Sequence, residues 1–272
     1  MRKKIPSWSD PFFFIAISAI GGCYLLLILL MLGADAVYMF KGMTSLASNP
    51  IIEAFRKPEI QYSIKLSLAS CTLSAILSLI VAVPMAYLLT RTQWPGRTLV
   101  DAILDIPLVL PPLVIGLSLL ILFQFWPFQT FNRAVVYQVP AVVISQFAVA
   151  AAFAVRTMKT AFDQINPRCE DVALSLGCSR WQAFSLVVIP QAGRGMLAAL
   201  TVAWARSLGE FGPLLIFAGA TRNKTEVLST TVFLELSIGN LEAAVAVSLI
   251  MVFTAVVVLV VARMIGTKDL GW

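Results

Sequence analysis

The chain has 272 residues, of which 59% are hydrophobic and 12% are charged, and its mean hydropathy is +0.89. Because a soluble domain carries about 25% charged residues, this composition excludes a water-soluble globular protein and indicates an integral membrane protein. The chain contains no histidine, the residue most often used as metal ligand and general base, so we expect no metal site. The net charge of +6 comes from basic residues at the ends of apolar segments and not from the basic patch of a nucleic-acid-binding protein, so we expect no nucleic-acid partner.

Six apolar runs follow one another along the chain, and a membrane-spanning helix needs about 20 such residues. The runs cover residues 12–32, 63–90, 99–125, 139–155, 190–218 and 241–262. The first run is too long for the apolar part of a signal peptide, so we predict an uncleaved helix. The polar stretch after it is predicted to be an external loop with a short helix at residues 51–55.

The basic residues between the runs predict the orientation in the membrane. If the N-terminus is cytoplasmic, the inside segments hold twelve lysines and arginines and the outside segments hold six. This bias agrees with the positive-inside rule, so both termini are predicted to be cytoplasmic. The longest charged stretch between runs, residues 156–189, is then cytoplasmic as well.

Within that stretch, residues 166–190 have the pattern of two short helices joined by a turn, which we call the bracket. Pro167 suits the first turn of a helix, and two acidic residues follow near its positive N-terminal end. Gly177 permits a sharp turn, and Ser179 can cap a second helix. We expect Pro190 to open the next span. From these residues alone, an amphipathic surface helix that rests on lipid headgroups is an alternative interpretation.

Three prolines, Pro107, Pro111 and Pro112, fall in the third run. Proline leaves carbonyl groups without their helical partners, and a membrane helix tolerates this where those groups face protein or a water-filled cavity. We therefore predict a broken helix that lines a pathway. A helix that is kinked without lining any pathway is the alternative.

Arg206 and Glu210 lie within the fifth run, four residues apart, so they share one helix face and can pair. Charges inside a membrane are costly and by default functional. Two interpretations are open: an arginine that attracts an anion with Glu210 as its counter-ion, or a structural ion pair that locks two helices or two subunits together. We favour the structural pair, because a permanently exposed arginine would bind an anion tightly and slow its release.

The bracket resembles the EAA loop of ABC importer permeases, whose pattern is E-A-A-x3-G-x9-I-x-L-P. Residues 171–173 (Asp-Val-Ala) stand for the first triplet, Gly177 for the glycine, and residues 187–190 (Val-Val-Ile-Pro) for the closing I-x-L-P. The departures are conservative, and the spacing from the glycine to the proline is the family's. In such permeases this loop docks into a groove on a cytoplasmic ATPase subunit. The resemblance therefore implies a coupling role for Glu170, Asp171, Ala173, Gly177 and Pro190.

Two further stretches resemble the molybdate, tungstate and sulfate permeases of this family. Residues 106–116 are similar to their third-helix segment, and residues 205–212 match their fifth-helix signature A-R-x-x-G-E-F-G. The resemblance implies a translocation path and gate formed by Pro107, Pro111, Pro112, Gly116, Arg206, Gly209, Glu210, Phe211, Gly212 and Pro213.

The fold implied by the resemblance is an all-α integral membrane protein with six transmembrane helices and the coupling loop between helices 4 and 5. Residues 1–59 would form the first helix and an external loop, residues 60–265 the permease domain, and residues 266–272 a cytoplasmic tail. The chain would be a transport subunit and not an enzyme, located in a bacterial-type inner membrane.

The implied substrate is a small oxyanion, with molybdate or tungstate favoured and sulfate or thiosulfate as the alternative. The implied partners are a cytoplasmic ABC ATPase dimer that binds ATP and Mg²⁺, an external substrate-binding protein, membrane lipid and a second permease copy. We expect no cofactor on this chain itself. Residues 219–225 end like a phosphate-binding loop but lack the glycine before the lysine and follow no strand.

Two other classes of protein are disfavoured. A membrane enzyme needs converging histidine, aspartate or serine–lysine groups at membrane depth, and only the Arg206–Glu210 pair lies well inside a run. A secondary transporter usually shows internal repeats, and the sequence shows no convincing one.

Overall fold

The computed structural model describes residues 11–41 and 55–268 of the protein, which are almost entirely helical and contain no β-strand within those ranges. The longer helices are α1 (Pro11–Lys41), α2 (Pro58–Arg91), α3 (Arg97–Val109), α4 (Pro112–Leu122), α5 (Val139–Asp163), α6 (Arg168–Ser175), α7 (Arg180–Gln191), α8 (Gly193–Leu208), α9 (Leu228–Ser237) and α10 (Leu241–Lys268). The short helix predicted at residues 51–55 lies, except for its last residue, outside the described part of the chain.

Four helices, α1, α2, α5 and α10, are each long and apolar enough to cross a bilayer. Two further pairs meet this criterion only together: α3 with α4, which are bent by 112°, and α7 with α8, which are bent by 70°. The described residues therefore supply four spans, or six if each bent pair forms one. An all-helical membrane protein is confirmed, and the number six stays a prediction.

The centre of the bundle is formed by α2, α5 and α8, which pack through small side chains. Ser74 and Ala82 of α2, Ala150 of α5 and Ala203 of α8 are all fully buried. Small residues let helix backbones approach closely in lipid, where no hydrophobic effect favours helix association. Hydrogen bonds between helices add to this packing, since the Ser74 hydroxyl donates to the Val143 carbonyl at 3.1 Å. The centre thus holds α5 and α8 side by side, and the functional regions lie at their ends.

The predicted break in the third run is confirmed, and it falls at Leu110 and Pro111. Helix α3 ends at Val109, and α4 begins at Pro112, which occupies a position where a helix needs no amide hydrogen. Pro107 lies inside α3 without ending it. The adjacent pair of prolines, and not all three, therefore makes the break.

Pro190 does not open the next span, contrary to the prediction. It lies near the end of α7, and the next helix begins at Gly193 after the 70° bend. A π-helical turn, Phe184–Val188, precedes the proline, and there the Ile189 amide donates to the Phe184 carbonyl. The wider turn accommodates a residue whose nitrogen cannot donate, so the helix continues through the proline.

Two other boundaries differ from the sequence prediction. Helix α5 continues beyond residue 155 to Asp163. The charges that end the apolar run are paired with two carboxylates of α3: Arg156 with Asp101 and Asp105, both at 2.5 Å, and Lys159 with Asp101 at 2.8 Å. The polar segment between the last two apolar runs, residues 219–240, was expected to be a loop, but it contains α9. That helix packs against the functional region described next.

Candidate functional site

The two breaks in the chain, between α3 and α4 and directly after α8, face each other across a cavity of about 270 Å³, which we call the junction cavity. Its lining residues are Pro111, Pro112, Leu113, Arg206, Gly209, Glu210, Phe211 and Gly212. Seven of these eight are among the ten residues that the sequence predicts for the translocation path. Pro107, Gly116 and Pro213 do not line it, and Leu113 is an addition.

The start of α4 and the segment after α8 are in direct backbone contact beside this cavity. A Cβ atom at Gly116 would lie 2.7 Å from the Cα of Pro213, and one at Gly212 would lie 2.9 Å from the backbone nitrogen of Leu113. Both distances are shorter than van der Waals contact, so only glycine permits this approach. At Gly209 the nearest atom would be 3.8 Å away, an ordinary contact. The junction is therefore tightly packed on one side and open to the cavity on the other.

An ion pair lies in the wall of the junction cavity. Arg206 Nη2 is 3.0 Å from Glu210 Oε2, and the two side chains are 30% and 1% exposed. The guanidinium of Arg206 also lies 5.4 Å from the ring centroid of Phe153 on α5, within the range of a cation–π interaction. The arginine thus joins α8 to α5 and still reaches the cavity. This geometry fits the favoured structural pair and leaves the anion-attracting interpretation open.

Helix α9 supports the same segment from outside the cavity. The Ser229 hydroxyl donates to the backbone carbonyl of Glu210 at 2.7 Å, and the rings of Phe211 and Phe233 are 5.3 Å apart. Sequence reasoning did not identify Leu113, Phe153, Ser229 or Phe233 as part of this region. They are ordinary apolar or hydroxyl residues, and only the tertiary fold brings them here.

A second buried carboxyl group precedes α9. Glu226 is fully buried, and burial raises its pKa above that of an ordinary glutamate because removal from water disfavours the charged form. Among the described residues, neither carboxylate oxygen of Glu226 has a hydrogen-bond partner, and the positive charge of Arg222 lowers the pKa by less than burial raises it. Arg222 itself pairs with Glu235 at 2.8 Å. The ion pair of Arg222 with Glu235 thus connects the segment before α9 to that helix.

The bracket is folded locally as predicted. Helix α6 follows directly after Pro167, and Gly177 has a φ of +93°, which a residue with a side chain rarely adopts. The Gln182 amide donates to the Ser179 hydroxyl, and the Ser179 amide donates to the Gln182 side-chain oxygen. This reciprocal capping box begins α7.

The outer surface of the bracket is apolar. Leu176 and Trp181 are 81% and 73% exposed, and Leu186 is exposed as well. Asp171 is also exposed and lines, together with Trp181, a groove between the bracket and the end of α2, whereas Ala173 is buried. Exposed apolar groups concentrated on one element are typical of a surface that another protein covers.

The other predicted coupling residues are placed differently. The Glu170 side chain points toward the end of α2, where Tyr87 and Arg91 contact it. Gly177 forms the turn between α6 and α7, and Pro190 lies at the far end of the bracket, beside the bend into α8. Glu170 is therefore an inward-facing residue in a surface element.

Comparison with known proteins adds to this geometry. Residues 74–268 match the family model for the "binding-protein-dependent transport system inner membrane component". The chain is 32% identical to the sulfate transport system permease protein CysT of Escherichia coli over 76% of each chain. It is 30% identical to the molybdate/tungstate transport system permease protein WtpB of Thermococcus kodakarensis over 62% of this chain and 65% of that protein.

A chain of a bacterial alginate ABC transporter, solved in complex with its alginate-pentasaccharide-bound periplasmic protein, has a similar structure. The TM-score is 0.76, the sequence identity is 17%, and the match covers 95% of both chains. At this identity the likeness shows a shared fold.

Proposed function

Since this chain belongs to the family of binding-protein-dependent transport inner membrane components, the permease subunits of ABC importers, we propose that it imports a molybdate- or tungstate-like oxyanion by alternating access. Its relatives include both sulfate and molybdate/tungstate permeases, so an oxyanion is the substrate class that they share. Molybdate or tungstate is favoured because the chain resembles systems with two identical permease copies. Sulfate is the alternative, supported by the similarity to CysT over three quarters of each chain.

The observation that best supports this proposal is the junction cavity with its paired arginine. The cavity lies between two helix breaks, where freed backbone groups and the Arg206 guanidinium can face water and solute. A second copy of the chain would complete a path of which each copy supplies one half. In this proposal, the segment of Gly209, Phe211, Gly212 and Pro213 acts as the gate, because it bridges α8 and the start of α4.

The bracket is proposed to be the docking element for a cytoplasmic ATPase, which would bind ATP and Mg²⁺. The support is the exposed apolar surface around Leu176 and Trp181, next to the exposed carboxylate of Asp171. Closure of two ATPase subunits would bring the two brackets together, and α7 would pass this movement across its bend to α8. Both termini and the bracket are proposed to be cytoplasmic, with the substrate-binding protein on the opposite face.

The substrate is tested by uptake into proteoliposomes that contain the permease with its ATPase inside and its binding protein outside. We expect ATP-dependent uptake of radiolabelled molybdate that excess tungstate abolishes and equal sulfate does not. Uptake of sulfate without molybdate would replace the favoured substrate by the alternative. ATP-dependent uptake of none of these anions would contradict oxyanion import.

The gate is tested by cross-linking pairs of cysteines engineered on either side of the junction, at Leu113 and Phe211, with and without ATP. If the segment moves between two states of the transporter, the cross-linking yield changes when ATP is added. An identical yield in both conditions would contradict the assignment of this segment as the gate. Cysteines at Ser74 and Val143, inside the packed centre of the bundle, serve as the pair whose yield should stay constant.

A further inference from the structure

Glu170 occupies the first turn of α6 but is held by another helix. Its side chain is 13% exposed, whereas the neighbouring Asp171 is exposed. The Tyr87 hydroxyl of α2 donates to one carboxylate oxygen of Glu170, and Arg91 Nε lies 3.8 Å from the other. The carboxylate is thus directed away from the surface proposed to meet the ATPase and toward the end of α2.

Arg91 connects the same carboxylate to a third helix. Its Nη2 donates to the carbonyls of Ile165 and Phe162, at 2.8 and 3.3 Å. Phe162 lies in the last turn of α5, and Ile165 lies two residues after its end. Helix ends leave such carbonyls without intrahelical partners, and a basic side chain satisfies them. Arg91 therefore joins the end of α2, the end of α5 and the start of α6.

The ring of Tyr87 extends this connection to the second helix of the bracket. It lies edge-on to Phe184, with ring centroids 4.7 Å apart, and to Phe162, at 5.9 Å. Such edge-to-face pairs are favourable beyond the area that they bury. One tyrosine thus contacts α6 through its hydroxyl and both α5 and α7 through its ring.

The end of α2 and the bracket are not in continuous contact. A groove of about 500 Å³ opens between the end of α2 and the two bracket helices. The covalent link from α5 to α6 is a short connection over residues 164–167. The far end of the bracket is packed into the core of the bundle through Val188, so the polar and aromatic contacts beside the groove are the ones that hold its near end against α2.

We propose that Tyr87, Arg91 and Glu170 form a latch that fixes the bracket to α2 and α5, so that movement of the bracket is transmitted to the bundle and not lost at the link. Glu170 is then a positioning residue, distinct from the exposed residues that would touch the ATPase. The transmission part of this inference rests on the proposed function, whereas the tether itself concerns this chain alone.

Two measurements on matched variants test the latch. Tyr87→Phe removes the hydroxyl and keeps the ring contacts, and Glu170→Gln keeps an oxygen acceptor for Tyr87 while removing the charge that faces Arg91. Thr90→Val is the control, because within the described part of the chain the Thr90 hydroxyl donates to carbonyls of its own helix, those of Ala86 and Tyr87.

The first measurement is the mobility of a spin label on Cys169, which is exposed and adjacent to Glu170, with Cys23 and Cys178 replaced by serine. Tyr87→Phe should raise the label mobility, Glu170→Gln should raise it less, and Thr90→Val should leave it unchanged. This experiment needs no ATPase. An unchanged spectrum in both latch variants would overturn the tether, whether or not the proposed function is right.

The second measurement is the number of oxyanions imported per ATP hydrolysed in proteoliposomes. A hydrogen bond to a charged group is stronger than one between neutral groups. Without it, Tyr87→Phe should lower the number of oxyanions imported per ATP by about five-fold or more, while the amount of bound ATPase stays constant. A destabilised protein would instead lower import and hydrolysis together. A wild-type ratio in Tyr87→Phe would overturn the transmission role, and a wild-type permease that binds no ATPase would overturn the proposed function and not the tether.

Discussion

The bracket and the junction cavity differ in where their important side chains lie. Those of the bracket are exposed apolar groups, whereas the junction cavity depends on a buried charged group. In the bracket, Leu176, Trp181 and Leu186 are exposed, and the backbone is fixed by a capping box and a glycine turn. Around the junction cavity, a fully buried carboxylate is paired with an arginine, and two glycines allow backbone contact between segments almost 100 residues apart in the chain. Substitutions of the exposed side chains of the bracket should therefore affect the binding of a partner, and substitutions at the junction should affect the stability of this protein itself.

This difference in structure also suits the two regions to different functions. An exposed surface can bind and release a second protein without changing the internal packing of the chain. A packed junction with an ion pair can hold only a few discrete arrangements, because cores are bistable and not continuously deformable. This is the property that a gate needs, and a docking surface does not need it.

The largest loss of stability is expected from substitutions in the Arg206–Glu210 pair. Arg206→Gln leaves a buried carboxylate without its counter-ion, which should cost about 3 kcal/mol of stability, the low end of the range for a buried pair that loses one partner. Glu210→Gln should cost clearly less, because the arginine it leaves behind still reaches the cavity. Thermal unfolding in detergent would measure both.

The double variant decides between the two interpretations of the pair. If the pair is structural, combining the two substitutions should recover most of the stability and much of the import, since neither charge is left alone. Recovered stability with import still absent would assign the arginine to the path of the anion and contradict a purely structural role. A loss that is simply the sum of the single losses would show that the two side chains are not coupled.

The next largest effect is expected at the backbone contact between α4 and the gate segment. Gly116→Ala places a methyl group against the backbone of Pro213, which cannot move aside as a side chain can, so we expect a loss of about 2 kcal/mol from overpacking. Import should fall together with the melting temperature. Gly193→Ala is the matched control, because nothing lies within 4 Å of its added methyl group, and equal behaviour of the two variants would contradict a tight junction.

The local geometry of the bracket was readable from the sequence because it depends on near neighbours. Pro167, Gly177 and Ser179 act within a few residues of their own positions, and all three have the predicted role in the structure. The break at Pro111 and Pro112 was predicted for the same reason. Pro190 was misjudged because a π-helical turn before it removes the need for the helix to stop.

Long-range contacts were not readable in this way. The sequence indicated that Arg206 and Glu210 could pair, but not that Phe153 of α5 would lie beneath the guanidinium. The family resemblance implied a coupling role for Glu170, whereas the direction of its side chain depends on Tyr87, 83 residues earlier. Periodicity within one helix determines which residues share a face, and only the packing of helices determines what that face meets.

On the bracket side of the comparison, a charge placed on the exposed apolar surface should affect docking alone. Leu176→Asp is expected to weaken ATPase binding at least ten-fold, about 1.4 kcal/mol, while the melting temperature of the isolated permease stays within the range of surface substitutions. Ile238→Asp, at an exposed position after α9, is the control on the face proposed to be external. A drop in melting temperature as large as that of Gly116→Ala would contradict the difference between the two regions.

The smallest effect is expected at the turn of the bracket, where strain and docking can be separated. Gly177→Ala must adopt a positive φ, at a cost of about 1 kcal/mol, although nothing lies within 4 Å of the added methyl group. Gly177→Asn should cost less, because asparagine tolerates this conformation better than other residues with a side chain. ATPase binding should therefore rank wild type, Asn and Ala in falling order. If asparagine disrupts binding more than alanine does, the glycine is needed for close approach of the partner and not for its backbone angle, and the bracket would then depend on tight packing as the junction does.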